Sequence, residues 1–291
     1  SSSSSSQDLV IYTAAIGATY VNLASQWCRA LEEHVVQPSD MRVLLVVLAD
    51  RDSIDGCPAV RHVAVPATAD LANDDTSSEE EQRRRLELER SLRIKLLKLE
   101  ELPFQSKTYL WLDVDVRPVA SKSEWLRRLL RRIVQSQDSP RPILANNSIA
   151  LTRTRKANKY NGGLFMYSHR GCVEAWRREI LRPSAETPDR GRDQPALRTI
   201  TTTTNGDCAV VHLPSNTQGF FTTAVALRAL LLPSRNAFGD VALVHFTGTA
   251  HDRGGLLLTL ALSGGFWLWC PFLVLLVFLL AGRRFLLNRR R

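Results

Sequence analysis

Two apolar runs constrain the fold of this chain more than any other feature. Residues 41–49 read MRVLLVVLA and residues 107–112 read KTYLWL. Neither alternates polar with apolar residues, so each predicts a strand buried on both faces. A sheet covered on both sides needs helices to cover it, and the intervening sequence supplies them. Tyr20, Leu23, Trp27 and Leu31 fall at helical spacing and predict a helix over residues 19–34. Leu86, Leu92, Leu96 and Leu99, set among charges, predict another over residues 79–102 that Pro103 ends. Further helices are expected over 123–134, 173–181 and 195–201. Shorter strands are expected over 8–12, 60–65, 161–167, 209–213 and 241–246, and the stretch between 134 and 161 reads as turn-rich. This alternation predicts an α/β fold: one domain over residues 8–253 with a mostly parallel sheet flanked by helices.

Composition narrows the function classes. The chain has 291 residues, 44% of them apolar, which is enough for a sizeable core and argues against wholesale disorder. The net charge of +9 raises the question of nucleic acid. Yet the arginines are scattered or gathered in two runs, Arg127-Arg128 with Arg131-Arg132 and the C-terminal tail. No basic run is interleaved with aromatics as a strand-binding groove requires, so no nucleic-acid partner is expected. The five cysteines show no CxxC spacing, which excludes the common zinc frameworks. Cys28, Cys57, Cys172 and Cys208 are either two disulfides of an oxidising lumen or buried thiols. Asn146-Asn147-Ser148 is an acceptor sequon for N-glycosylation.

Both ends carry their own readings. The serines opening residues 1–7 read as a flexible segment. Residues 256–281 contain no charged side chain, a run of about 39 Å as a helix at 1.5 Å per residue, which is ample for a bilayer. Five arginines follow within residues 282–291, against Arg253 alone close on the other side. The positive-inside rule then predicts a transmembrane helix with a basic cytosolic tail and a lumenal domain, in the Golgi or endoplasmic reticulum.

The chemistry begins where the second apolar run stops. KTYLWL runs straight into Asp113-Val114-Asp115, so two carboxylates stand at the carboxyl end of a buried strand, where ligands of parallel sheets bind. Two such oxygens suit a hard cation, Mn²⁺ or Mg²⁺, and such cations bind diphosphates readily. Further blocks follow in order: YNGGLFMY at 160–167, Asp193-Gln194, HLPSN at 212–216 and VHFTG at 244–248.

Taken together, these blocks resemble the retaining glycosyltransferases of the GT-A fold, closest in pattern to family 8, which includes the glycogenins and galactinol synthases. The resemblance extends in collinear blocks from Ile11 to about Arg253, nearly the whole of the expected domain. It implies a UDP-sugar donor, a divalent metal, and a glycan, protein or small-molecule hydroxyl acceptor. Carried over, TAAIGATY at 13–20 places Ala14, Ile16 and Tyr20 against the uracil and ribose, while Lys95 reaches the donor. Asp113 and Asp115 would ligate the metal, with Val114 between them at the donor. Asn161 and Gly162 would line the donor sugar and acceptor. Asp193 and Gln194 would stand beside the reacting centre, making Asn161, Asp193 and Gln194 the expected catalytic group. His245 would be the third metal ligand, with Gly248 in the same block. The family follows that block with Lys-Pro-Trp, whose lysine contacts the diphosphate. Here Thr249-Ala250-His251-Asp252-Arg253 stands instead, and His251 or Arg253 takes the lysine's place. That departure raises the alternative of a non-catalytic lumenal protein that binds nucleotide-sugar.

Overall fold

The computed structural model describes residues 7–37, 39–63, 102, 106–153, 160–181, 193–202, 208–220 and 241–246. The run 256–281, both chain ends and all but the last residue of the expected helix over 79–102 lie outside them. No helix among the described residues is long and apolar enough to cross a membrane.

The strands are β1 (Gln7–Ala15), β2 (Val43–Ala49), β3 (Val60–His62), β4 (Ser106–Leu112), β5 (Val116–Pro118), β6 (Ser148–Arg153), β7 (Tyr160–Tyr167), β8 (Ala209–His212), β9 (Gln218–Phe220) and β10 (Leu243–His245). The helices are α1 (Ala18–Leu31), α2 (Ser123–Ser136), α3 (Gly171–Leu181) and α4 (Asp193–Thr202). Seven strands form one sheet in the order β3-β2-β1-β4-β7-β6-β8. β2 and β4 both pair in parallel with β1. β7 is antiparallel to both β4 and β6, and β6 is parallel to β8. β7 is thus the single reversed strand, and the expectation of a mostly parallel sheet is met.

Residues along β1 show why both apolar runs had to be continuous. Leu9, Ile11 and Ala15 point to one face, where they meet Trp27, Cys28 and Leu31 of α1 and Leu126, Leu130 and Ile133 of α2. Val10, Tyr12 and Ala14 point to the other, against Trp176 of α3 and Leu197 and Ile200 of α4. Trp27 and Trp176 are wholly buried, one on each side. The layers are therefore helix, sheet, helix.

The turn-rich reading of the stretch before residue 161 missed β6. SIALTR is short and bounded by polar residues, so its Ile149 and Leu151 gave little periodicity. Pairing on both sides by β7 and β8 makes it an interior strand all the same.

Two disulfides fasten helices to segments that border the sheet. Cys28 of α1 joins Cys57 in the β2–β3 connection across 5.2 Å between Cα atoms, and Cys172 of α3 joins Cys208, just before β8, across 5.1 Å. Of the two readings of these cysteines, pairing is the one found. The second bridge closes a separation of 36 residues. In the chain-entropy picture its loss costs about 3–4 kcal/mol. Cys172→Ser with Cys208→Ser is expected to lower the urea midpoint, with a somewhat steeper slope because the unbridged denatured chain is less compact; an unmoved midpoint would show that the bridge carries no stability.

Candidate functional site

The carboxyl ends of β1, β2 and β4 open onto one edge of the sheet. At the end of β1 the chain turns into α1 through Gly17, whose φ of 84° lies in the left-handed region that favours glycine. Its N–H donates to Oδ2 of Asp50 (2.9 Å), at the end of neighbouring β2. Ala14 and Ile16 are buried within the core on the α3–α4 side. Tyr20, one turn into α1, packs against the opposite core. The three residues expected at the nucleotide thus share one loop and helix start, but their side chains divide between the two faces.

At the end of β4 the ladder runs one residue further, with Asp113 N–H donating to Gly163 O of β7 (2.8 Å). The chain then reverses, Val116 N–H donating back to Asp113 O (2.9 Å), and starts β5. Val114 is buried in the core and anchors the turn from below. Arg117 fixes it from the side: its buried guanidinium donates to Val114 O (2.6 Å), Val116 O (3.1 Å) and Leu23 O of α1 (3.0 Å). Burial pushes this arginine's pKa down to about 10, with the Asp115 charge opposing the shift.

β5 and β10 pair antiparallel, placing His245 opposite Val116, and Phe246 N–H donates to Asp115 O (3.1 Å). This small sheet, completed by β9, delivers a histidine 130 residues further along the chain to the two aspartates. His245 Nε2 lies 3.2 Å from Asp115 Oδ1 and 3.6 Å from Asp113 Oδ2. One ligand atom from each of the three residues falls within 4.8 Å of the others. The imidazole is buried and the two carboxylates are partly exposed, so the cluster is open on one side. Two carboxylate oxygens and an imidazole suit Mn²⁺ and accommodate Mg²⁺.

Around this cluster the polar groups are closely matched. Trp111 Nε1 donates to Asp113 Oδ1 (2.7 Å). Asn161 Oδ1 accepts from Gly163 N–H (2.9 Å), and its Nδ2 lies 3.1 Å from His245 Nδ1. Gln218 of β9 places Nε2 3.2 Å from the same ring nitrogen, while its Oε1 accepts from the Thr152 hydroxyl (2.7 Å). Gly163 is where β7 passes under the cluster. A Cβ there would lie 2.5 Å from His245 Cε1 and 2.6 Å from Asp113 Oδ2.

Gln194, exposed at the start of α4, reaches back to β7 rather than to the cluster. In the amide orientation that satisfies both groups, its nitrogen donates to Tyr160 O (2.9 Å) and its oxygen accepts from Gly162 N–H (2.7 Å). It therefore ties α4 to the backbone beside Asn161. Asp193 begins the same helix. Lys95, Gly248, His251 and Arg253 lie outside the described residues.

The structure thus brings together Asp113, Asp115, His245 and Asn161 from the expected set, with Gly162 alongside. Gln218, Trp111 and Gly163 were not singled out. Gln218 follows the HLPSN block in a stretch with no periodic signal. Gly163 read as one more residue of a turn, although the doubled glycine was the available clue to a close approach.

The sequence matches no protein-family model and no curated protein. Solved structures do show likeness. A galactosyltransferase, LgtC, solved with donor and acceptor sugar analogues, is 16% identical, with 88% of this chain and 95% of that one covered at a TM-score of 0.45. A glycosyltransferase involved in glycosylating the major capsid of PBCV-1 is 13% identical (84% and 95% covered, TM-score 0.47). Mouse xyloside xylosyltransferase 1 is 12% identical (83% and 96% covered, TM-score 0.43). Likeness at this level is resemblance in shape and no more.

Proposed function

We propose that this chain is a metal-dependent glycosyltransferase of the GT-A, family 8-like type, moving a sugar from a UDP-sugar to a hydroxyl acceptor with retention. One observation carries the reading. Three ligand-bearing residues from two distant parts of the sequence meet at the carboxyl edge of the sheet, within 4.8 Å of one another. Strand pairing brings them there, so the meeting is built into the fold.

Asp113, Asp115 and His245 would hold Mn²⁺ or Mg²⁺, which when bound neutralises the charge that grows on a departing diphosphate. The protein's own residues do the rest. Trp111 and the Asp113 N–H hold the first carboxylate in place. Arg117 keeps the Val114 turn rigid, so the second stays aimed. The loop of Ala14, Ile16 and Gly17, with Tyr20 behind it, frames the nucleotide at the ends of β1 and β2. Asn161, Gly162, Asp193 and Gln194 would line the sugar, with Gln194 acting by fixing the β7 backbone. Both carboxylates of the cluster are committed to the cation, leaving neither to act as a nucleophile. The family 8-like pattern of blocks supports retention: the acceptor hydroxyl would attack from the face the diphosphate leaves and give its proton to the departing phosphate oxygen.

The two disulfides support an oxidising compartment. Together with the uncharged run 256–281 and the arginines after it, they support a lumenal domain on a C-terminal membrane anchor in the Golgi or endoplasmic reticulum.

A donor screen tests the proposal: purified protein with UDP-glucose, UDP-galactose or UDP-xylose and Mn²⁺, reading released UDP. One donor is expected to stand out, with release abolished by chelation and the product anomer matching the donor by NMR. If calorimetry shows UDP binding with Mn²⁺ but no donor turns over, the chain is a binding protein. If neither is seen, the assignment to nucleotide-sugars is wrong.

A further inference from the structure

The chain holds one N-x-Ser/Thr sequon, Asn146-Asn147-Ser148, and the proposed function gives it no part. The fold treats its three residues differently. Asn146 and Asn147 form the turn that leads into β6, and both are exposed. Ser148 is the first residue of β6 and only 2% exposed. Its hydroxyl donates to Ala145 O (2.9 Å), and its N–H donates to the same carbonyl (3.1 Å). An exposed turn has room for a bulky, solvated sugar chain. Since β7 is antiparallel to both β4 and β6, those two strands run the same way. The turn before β6 therefore lies at the opposite edge of the sheet from Asp113, and a glycan there leaves the metal cluster unobstructed.

The neighbours of this turn also fix when a glycan can be added. Asn147 O accepts from the N–H of Ala209 (2.7 Å), the residue after Cys208. Asn147 Oδ1 lies against Gly171, the residue before Cys172, so close that a Cβ on Gly171 would meet it at 2.7 Å. Cys172 and Cys208 are joined to each other. The bridge thus ties together the two segments that clasp the middle of the sequon. A transferase that reads the hydroxyl two residues after its acceptor has no access to Ser148 once β6 lies between β7 and β8. β8 begins at Ala209, so the sequon is synthesised well before the strand that encloses it.

We infer that Asn146 carries an N-linked glycan, added before β8 and the Cys172–Cys208 bridge close over Ser148. The donor class is an oligosaccharide held on a lipid diphosphate. Asn146 Nδ2 forms a bond to the anomeric carbon of that oligosaccharide, and the bond from this carbon to the diphosphate breaks. The amide gives up one proton, and the lipid diphosphate departs. The inference rests on the lumenal placement proposed above, where such donors and disulfide formation meet.

The test uses the full chain directed into the endoplasmic reticulum by a cleavable leader, which makes the result independent of the chain's own targeting. The wild type is expected to run larger than Asn146→Gln and to fall to the same size after peptide-N-glycosidase. That digestion leaves aspartate at position 146, read by mass spectrometry. Asn146→Gln should fold, because the side chain it replaces is exposed. A wild type of the same size as Asn146→Gln, with asparagine intact at 146, overturns the inference. The order of events is tested on chain made without glycan, refolded and oxidised, then mixed with permeabilised membranes that hold the transferase and its lipid-linked donor. It is expected to stay unmodified, while the same chain reduced and unfolded before mixing gains the glycan. Equal modification of both forms would refute the order. Protease treatment of sealed membranes from the native source checks the lumenal placement separately: a digested domain would refute that placement and leave the leader-directed result standing.

Discussion

Asp115→Asn is expected to remove metal-dependent sugar transfer almost entirely, by on the order of 10³-fold in kcat/KM. The substitution keeps the side chain's size and takes away its charge. Asp115 is the carboxylate nearest the His245 ring, at 3.2 Å, and among the described residues only Asp113 shares the cluster with it, so no other described acid takes its place. An amide oxygen is a much poorer ligand for a hard cation than a carboxylate. The fold should survive, because backbone bonds and the carbonyl bonds of Arg117 hold the turn, although the buried Arg117 loses a neighbouring charge. Thermal unfolding separates the two effects. At a Mn²⁺ concentration of about 100 Kd, binding adds about 2.7 kcal/mol to the wild type. Asp115→Asn is expected to show its cation-free melting temperature whether or not Mn²⁺ is present. Turnover equal to that of the wild type would remove the metal from the proposed function.

How far the sequence revealed this site depended on whether a residue's role was local. MRVLLVVLA and KTYLWL are readable because burial on both faces leaves a continuous apolar run, and both proved to be interior strands. Asp113 and Asp115 are readable because they follow such a run directly. His245 is not local in that sense: a histidine after a short strand gives no hint that the strand pairs with Val116. Only the resemblance of its VHFTG block marked it. Gln218 and Trp111 carried no mark of any kind, since an amide or an indole gains its role from what three-dimensional pairing sets beside it. β5 and β9 escaped notice for a related reason. With three residues each, they are too short for any period, and they exist because β10 lies between them. Tyr20 shows the reverse: its helical spacing was right, and that spacing turns it into the core packed under α1.

Gly163→Ala is the second substitution from which a large effect is expected, and it tests the site through space rather than charge. β7 must cross beneath the aspartates while giving its carbonyl at 163 to Asp113 N–H (2.8 Å) and its N–H to Asn161 Oδ1 (2.9 Å). The carbonyl bond to Asp113 and the pairing of β7 between β4 and β6 limit how far the backbone can retreat. A methyl group would sit 2.5 Å from His245 Cε1, 2.6 Å from Asp113 Oδ2 and 3.0 Å from His245 Nδ1, each nearer than real Cβ atoms ordinarily approach. The atoms in the way belong to the side chains of His245 and Asp113, so the ring and the carboxylate are what shift. Displacement of about 1 Å at a reacting centre costs about 100-fold in rate. We expect kcat/KM to fall by about that factor and Mn²⁺ affinity to fall with it, with the strain lowering cation-free stability by about 1–3 kcal/mol. The contrast with Gly171 is the control. There a Cβ would meet Asn147 Oδ1 at 2.7 Å, at the far end of the sheet from the aspartates. Gly171→Ala should leave Mn²⁺ binding unchanged and cost little stability, because the exposed Asn147 side chain can swing aside. If the two alanine variants lose metal affinity equally, or neither does, then Gly163 is not the close approach that shapes this site.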